Sequence, residues 1–110
     1  MANMQQSWAI QRAFPRFQID LRLMVRSTET LYGRTKDISC GGMAATVAGD
    51  IKLDDIVELV FQFPETSAPL KIISEVRYHF GFQYGFRFIN PTQRQVGIIK
   101  RCLDGLPLAP

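Results

Sequence analysis

Two arginines, Arg12 and Arg16, stand four residues apart in the segment Arg-Ala-Phe-Pro-Arg and could bind one anion together. A guanidinium donates two parallel hydrogen bonds to a phosphate, or to the O6 and N7 edge of a guanine. Pro15 fixes its own φ and favours an extended residue before it, which partly stiffens the segment. A second pair at this spacing, Arg22 and Arg26, lies within an alternating pattern and is interpreted as a solvent-facing strand surface.

The segment Asp37-Ile-Ser-Cys-Gly-Gly42 is the second candidate binding element. Its composition is typical of a β-turn, because Asp, Ser and Gly each favour turns for local reasons. A ligand-binding interpretation is also open. Asp37 can accept hydrogen bonds from N–H donors, Ser39 offers a hydroxyl, and Gly41 and Gly42 let a ligand approach the backbone.

Residues that would support catalysis are sparse in this sequence. Cys40 and Cys102 have no partner at metal-ligand or nucleophile spacing, and His79 stands among aromatic residues as a structural or surface histidine. The sequence contains no phosphate-loop motif and no paired acid and base. We therefore predict a binding protein with no cofactor and no metal, and not an enzyme.

Short alternating segments that would position these candidates fill the middle of the chain. Strands are predicted at residues 17–25, 31–38, 43–47, 56–63, 69–80 and 83–89. The predicted core face of the fifth strand carries Leu70, Ile72, Val76 and Tyr78. Six short strands joined by tight turns predict an all-β fold, a closed six-stranded antiparallel barrel, because closure removes exposed edges. A two-sheet sandwich is the alternative.

The two ends of the chain differ from this middle region. Residues 1–16 show no period and form a predicted N-terminal arm, residues 17–90 form the barrel, and residues 91–105 form one C-terminal α-helix. Asn90 is the predicted N-cap of that helix, with Pro91 in its first position. The three regions together make a single domain, as expected for 110 residues.

Charge is distributed unevenly along the chain, although the net charge is only +3. Residues 1–36 hold six basic and two acidic residues, whereas residues 37–110 hold seven basic and eight acidic residues. An anionic partner is therefore expected to dock on the first third. No apolar run approaches the roughly 20 residues of a membrane span, and no signal peptide or disulfide framework is evident, which predicts a cytoplasmic protein.

The two candidate elements, in this order and followed by this strand pattern, resemble the PilZ domain family. That family carries R-x-x-x-R in an N-terminal loop and [D/N]-x-S-x-x-G about twenty residues later. The residues at those positions here are Arg12, Arg16, Asp37, Ser39 and Gly42. Residues 75–89 look like the last hairpin of the family, and the resemblance runs from about residue 10 to residue 104.

PilZ domains are six-stranded β-barrels with a C-terminal helix that bind cyclic di-GMP, so the resemblance implies a receptor for this second messenger. Arg12 and Arg16 would bind phosphate oxygens and guanine edges. Asp37 would accept hydrogen bonds from guanine or hold an arginine in place, Ser39 would donate to guanine or phosphate, and Gly42 would leave room for the base. Additional candidates are Gln11, Gly41, Arg34 and Arg87.

Gln11 is a departure from some relatives, which bind a stacked ligand dimer and carry a basic residue at this position. One or two ligand molecules per site are therefore both open. With no output domain in the sequence, the receptor is expected to change conformation on binding, with its arm becoming ordered, and to signal to a protein partner that the sequence does not identify.

Two other functions are weighed against this one. A PilZ-like adaptor that contacts proteins without binding nucleotide is the alternative, and the intact motifs argue against it. A small barrel that binds single-stranded nucleic acid is disfavoured, because residues 50–75 hold six acids against two lysines.

Overall fold

A computed structural model describes residues 14–110 of the chain. Most of this range is extended, and the strands are β1 (Phe17–Gln18), β2 (Arg22–Arg26), β3 (Thr30–Ile38), β4 (Gly42–Ala48), β5 (Ile56–Phe61), β6 (Leu70–Phe80) and β7 (Gln83–Phe88). Within the described range, a single helix, α1 (Gln93–Leu103), follows the strands. Every strand pairing is antiparallel.

The strands close on themselves. Their order in the sheet is β1-β3-β2-β5-β6-β7-β4, and an additional pairing of β3 with β4 joins the two sides. Strands β2 to β7 thus form a barrel of six strands, and β1 is an extra short strand beside β3. The predicted barrel with a C-terminal helix is confirmed, and the sandwich alternative is wrong because the hydrogen bonding is continuous around the sheet.

Alternating side chains fill the barrel interior, as the sequence pattern predicts. On β2 the buried residues are Leu23 and Val25, and on β7 they include Tyr84, Phe86 and Phe88. The helix α1 contributes Ile99, Cys102 and Leu103 to the same apolar cluster. One hydrophobic core therefore supports both the barrel and the helix.

The first predicted strand is interrupted at residues 19–21, where the side chain of Thr35 takes part in the strand pairing. The Thr35 hydroxyl donates to the carbonyl oxygen of Ile19 at 2.6 Å and accepts from the Leu21 N–H at 2.8 Å. Two backbone groups thus bond to a side chain instead of the facing strand. This splits the predicted strand into β1 and β2.

A register shift in β6 also corrects one predicted core residue. The pairing of β6 with β7 shifts between Val76 and Tyr78, so the alternation changes phase there. Val76 is fully buried, whereas Tyr78 is 43% exposed and its ring lies against Gly85 on the outside of the barrel. The prediction that Tyr78 packs in the core is therefore wrong.

The helix α1 begins later than predicted. Thr92 is the N-cap, and its side chain and that of Gln95 form a reciprocal capping box. Asn90, the predicted cap, instead has a positive φ of 46° and belongs to the turn that leads into the helix.

A helix with the length and hydropathy of a membrane span is absent from the described residues 14–110.

The segment after α1 returns along β1. Leu108 forms an isolated antiparallel bridge with Phe17. The Gln18 N–H donates to the Pro107 carbonyl at 2.8 Å, and the Ala109 N–H donates to the Arg16 carbonyl at 2.8 Å. Strand β1 therefore lies between β3 on one side and residues 107–109 on the other.

Candidate ligand-binding site

A register shift at Lys36 determines the face on which Asp37 lies. Before the shift, Thr35 pairs with Ala45 on the core side, and after it Ile38 returns to the core side. Asp37 is consequently placed on the outer face of the barrel, although it is only 5% exposed. An uninterrupted alternation would have put this carboxylate into the apolar interior, where an unpaired charge is costly.

Arg16 covers Asp37 and forms an ion pair with it. Strand β1 pairs Gln18 with Asp37, which brings the residue before β1 within reach of the carboxylate. The Arg16 Nε donates to Oδ1 at 3.0 Å and Nη2 donates to Oδ2 at 3.4 Å. The Arg16 side chain is still 32% exposed. Its remaining N–H donors are therefore free to meet an anion from solvent.

The Ser39 hydroxyl holds the turn between β3 and β4. Its Oγ accepts from the N–H groups of Gly41 at 3.1 Å and Gly42 at 3.2 Å. The Ser39 N–H donates to the Gly42 carbonyl at 2.9 Å, which closes the turn. Ser39 thus stabilises the turn, as the turn-like composition of residues 37–42 predicts.

Gly41 and Gly42, the two glycines of the turn, have other atoms packed where a side chain would begin. A Cβ on Gly42 would collide with the Phe86 carbonyl oxygen, so only glycine allows β4 to pair with β7 at this point. A Cβ on Gly41 would lie 2.7 Å from the ring of Phe14. Phe14 therefore packs directly on this turn.

Arg87 is the additional candidate that lies beside the turn. It is the cross-strand partner of Gly42 on β7, and its Nη2 donates to Glu75 at 3.0 Å. This hydrogen bond, followed by one from Arg77, lowers the pKa of the Glu75 carboxyl. Arg87 is half-exposed, and its hydrogen bond to Glu75 directs the side chain toward β6.

One further candidate is described away from the turn contacts, and two lie outside the described residues. Arg34 lies on β3 and its Nε donates to Asp20 at 2.7 Å, in an exposed pair. Arg12 and Gln11 lie outside the described residues, as does most of the predicted arm.

A groove between α1 and the segment before β1 adjoins the site and was not predicted from the sequence. Its volume is about 540 Å³, and it is lined by Pro15, Phe17, Cys40, Gly97, Lys100, Arg101, Leu103 and Asp104. Burial raises the pKa of the Cys40 thiol, and the positive charge of Lys100 opposes that shift. Helix α1 thus lies next to the candidate site, a proximity that depends on the tertiary fold.

The outer face beyond Asp37 carries small residues. Ala44 on β4 is the partner of Asp37, and Gly85 on β7 is the partner of Ala44. The ring of Tyr78 lies against Gly85 at the far side. In the sequence, a glycine inside the aromatic strand 83–88, Gly85, was the signal that another group approaches this backbone closely.

The chemistry of these groups suits an anion with hydrogen-bonding edges. They are the partly exposed guanidinium of Arg16, the buried carboxylate of Asp37 that orients it, and a tight glycine turn. Among residues 14–110, no group of three or more His, Cys, Asp or Glu side chains could hold a metal ion.

Comparison with protein families identifies the fold family. The sequence model described as PilZ domain matches residues 10–105. The chain belongs to the PilZ domain family. The resemblance seen in the sequence is therefore confirmed, and the matched range includes both motif segments. A comparison with curated protein sequences found no match.

Solved structures share the fold of this PilZ domain at low sequence identity. The PilZ domain of YcgR from Escherichia coli, solved with c-di-GMP, has a TM-score of 0.72 and 14% identity, covering 87% of this chain and 91% of that one. The PilZ domain of CeSA from a cellulose-synthesizing bacterium has a TM-score of 0.65 and 16% identity, covering 82% and 95%.

A third similar structure is longer than this PilZ domain. It is the inhibitor of motility MotI/DgrA of Bacillus subtilis, with a TM-score of 0.72 and 18% identity over 83% of this chain. The match covers 49% of that chain, so the PilZ domain described here spans about half of its length. At these identities the likenesses establish the fold.

Proposed function

We propose that this PilZ domain is a cytoplasmic, non-enzymatic receptor for cyclic di-GMP. The observation that carries the proposal is the ion pair of Arg16 with Asp37 beside the turn of residues 39–42. Those residues occupy the motif positions of a family in which the YcgR domain was solved with c-di-GMP. The free thiols of Cys40 and Cys102 are consistent with a reducing compartment.

Arg16 is the proposed anchor for a phosphate or a guanine edge of the ligand. Its Nε is engaged by Asp37, which fixes the plane of the guanidinium and leaves other N–H groups exposed. Asp37 thereby acts mainly by orienting Arg16, one of the two roles expected from the sequence. Pre-orientation lowers the entropy lost when a ligand binds.

Ser39, Gly41 and Gly42 are proposed to present the turn backbone to the ligand. The Ser39 hydroxyl already accepts two N–H bonds and keeps the turn compact. Gly42 leaves the outer surface free of a side chain, and Arg87 opposite to it supplies a further positive charge. Arg34 and Arg87 are both ion-paired, with Asp20 and Glu75, and Arg87 is the stronger candidate because it is the cross-strand partner of Gly42.

Arg12 is proposed to add a second guanidinium four residues before Arg16. A dianionic ligand would bridge the two arginines and bring the preceding arm against the turn, where Phe14 already contacts Gly41. This ordering would change the surface offered to a protein partner. Trp8, the only tryptophan, lies in that arm, and its fluorescence should change on saturation.

Calorimetric titration of the whole chain with cyclic di-GMP tests the function directly. GTP and a short single-stranded oligonucleotide serve as matched controls. We expect cyclic di-GMP to bind saturably, with an affinity that falls as salt rises because the contacts are ionic. Neither control ligand should bind at a similar concentration. Equal binding of the oligonucleotide would replace this function with nucleic-acid binding.

A nucleotide-free adaptor is the second candidate function, and the tip of the β6–β7 hairpin favours it. Phe80 and Phe82 are 82% and 69% exposed there, next to the exposed ring of Tyr78. Exposed aromatics are enriched at protein interfaces. A folded chain that binds no cyclic di-GMP in the titration would support this second function.

A further inference from the structure

We propose that the hydrogen bonds of Pro107 and Ala109 to residues 16–18 position Arg16, and that these bonds set the affinity for an anionic nucleotide. The inference rests on the proposed function and adds a segment that neither motif contains. The segment acts through the Arg16 backbone, whereas the motif residues act at the ligand.

Arg16 is anchored on two sides, once through its side chain and once through its backbone. On one side its guanidinium is bound to Asp37 of β3 through two hydrogen bonds. On the other side its carbonyl oxygen accepts from the Ala109 N–H at 2.8 Å. Arg16 thus bridges the barrel wall and the segment after α1.

Strand β1 depends on this second anchor because it is very short. It pairs with β3 at Phe17 and Gln18, with one longer bond of 3.4 Å from the Ile19 N–H to the Lys36 carbonyl, and Arg16 precedes it. A two-residue strand is marginal on one ladder alone. The bridge from Leu108 to Phe17, flanked by two hydrogen bonds of 2.8 Å, supplies a second ladder on the opposite edge.

The segment 107–109 is itself held by the core through α1. Leu103, in the last turn of α1, is buried with Ile99, and the Leu106 N–H donates to the Leu103 carbonyl at 3.1 Å. The helix therefore fixes the segment, and the segment fixes the backbone from which the Arg16 side chain extends. Linkage requires the reverse as well: a ligand bound at Arg16 must stabilise the pairing of residues 107–109.

Proline substitution isolates the hydrogen bond to Arg16. Ala109→Pro removes the N–H donor, whereas Ala109→Ser keeps it with a side chain of similar size. Leu108→Pro is the matched proline control. The two hydrogen bonds flank the Phe17–Leu108 pair, so the Leu108 N–H points away from β1.

Calorimetry with cyclic di-GMP on the whole chain should show about fivefold weaker binding for Ala109→Pro, the effect of losing one ordering hydrogen bond. Ala109→Ser should bind like the unaltered protein, and Leu108→Pro should stay within about twofold of it. Melting temperatures should differ little, because Ala109 lies outside the barrel. Hydrogen exchange at the Gln18 and Ala109 amides should slow when the ligand is added.

The outcomes separate the two proposals. If the unaltered chain binds cyclic di-GMP but Ala109→Pro binds equally well, with no ligand-dependent protection of the Ala109 amide, the positioning role is wrong and the receptor function stands. If all four proteins are folded and none binds the ligand, the receptor function is wrong, and the positioning role is rejected with it.

Discussion

Arg16 and Asp37, 21 residues apart in sequence, form a two-point ion pair on the outer wall of the barrel. The carboxylate is nearly buried, with 7% of its side chain exposed, whereas the guanidinium is 32% exposed. The two partners therefore differ in how much solvent reaches their charges. Loss of Arg16 would leave a desolvated charge, while loss of Asp37 would leave an arginine that can turn toward water.

Replacement of Arg16 by lysine should weaken cyclic di-GMP binding about tenfold or more. An ammonium keeps the charge but cannot reproduce the planar set of donors that faces both Asp37 and a ligand. Calorimetry measures the change. Arg26→Ala is the matched control, because Arg26 is an exposed arginine paired with Glu58 at the far end of β2. Equal loss in both variants would contradict the site assignment.

Asp37→Asn should lower both ligand affinity and thermal stability. The amide keeps one acceptor for Arg16 but places an NH₂ group where Oδ2 accepted from Nη2. We expect a stability loss of about 1–2 kcal/mol, as for a weakened charged hydrogen bond. Asp20→Asn, in the exposed pair with Arg34, is the control and should change neither quantity appreciably. Unchanged binding by Asp37→Asn would show that Arg16 needs no orientation.

Gly42→Ala should destabilise the barrel by about 1–3 kcal/mol, the usual cost of forcing extra volume into a packed site. The added methyl would meet the Phe86 carbonyl oxygen and separate β4 from β7. Gly97→Ala provides the opposite case, because its methyl would lie in open space within α1. That variant should gain about 0.5–1 kcal/mol from helix propensity. Chemical denaturation measures both, and equal effects would contradict the packing argument.

Cys40 should be protected from alkylation by bound ligand. Cys40 is part of the turn of residues 39–42 and lines the groove next to Pro15, so an ordered arm would cover it. Burial raises the thiol pKa, so less thiolate is present at neutral pH and the reaction with iodoacetamide should be slow there and faster as pH rises. Mass spectrometry follows the rate, with buried Cys102 as the internal control. Ligand-independent modification of Cys40 would place the ligand elsewhere.

Alternation and turn composition were sufficient to predict the barrel and most of its strand bounds. The errors fall where a residue departs from strict alternation. The Thr35 hydroxyl splits the first strand, and the register shift near Tyr78 moves that ring outward. Both departures depend on which strand pairs with the segment in question, and a single sequence does not specify the pairing strand. The capping box at Thr92 was visible in the sequence, but Asn90 and Pro91 offered a competing start.

The site was predictable only in part for the same reason. The motif resemblance indicated Arg16, Asp37, Ser39 and Gly42 by type and spacing. The orientation of Asp37 depends on the register shift at Lys36, which the spacing does not reveal. The nearness of α1 and of residues 107–109 to Arg16 arises from closure of the barrel, and no local pattern encodes it.

The pairing of Phe17 with Leu108 gives the fold a modular geometry. Residues 16–18 and 107–109, near the two ends of the described range, lie side by side as antiparallel segments. Such an arrangement permits insertion of the domain into a surface loop of another protein without separating the flanking segments. New chain ends could be opened at the exposed hairpin tip around Gly81, because the two paired segments already lie side by side. Displacement of residues 107–109 would then be transmitted to the host protein as a change in the distance between its two attachment points.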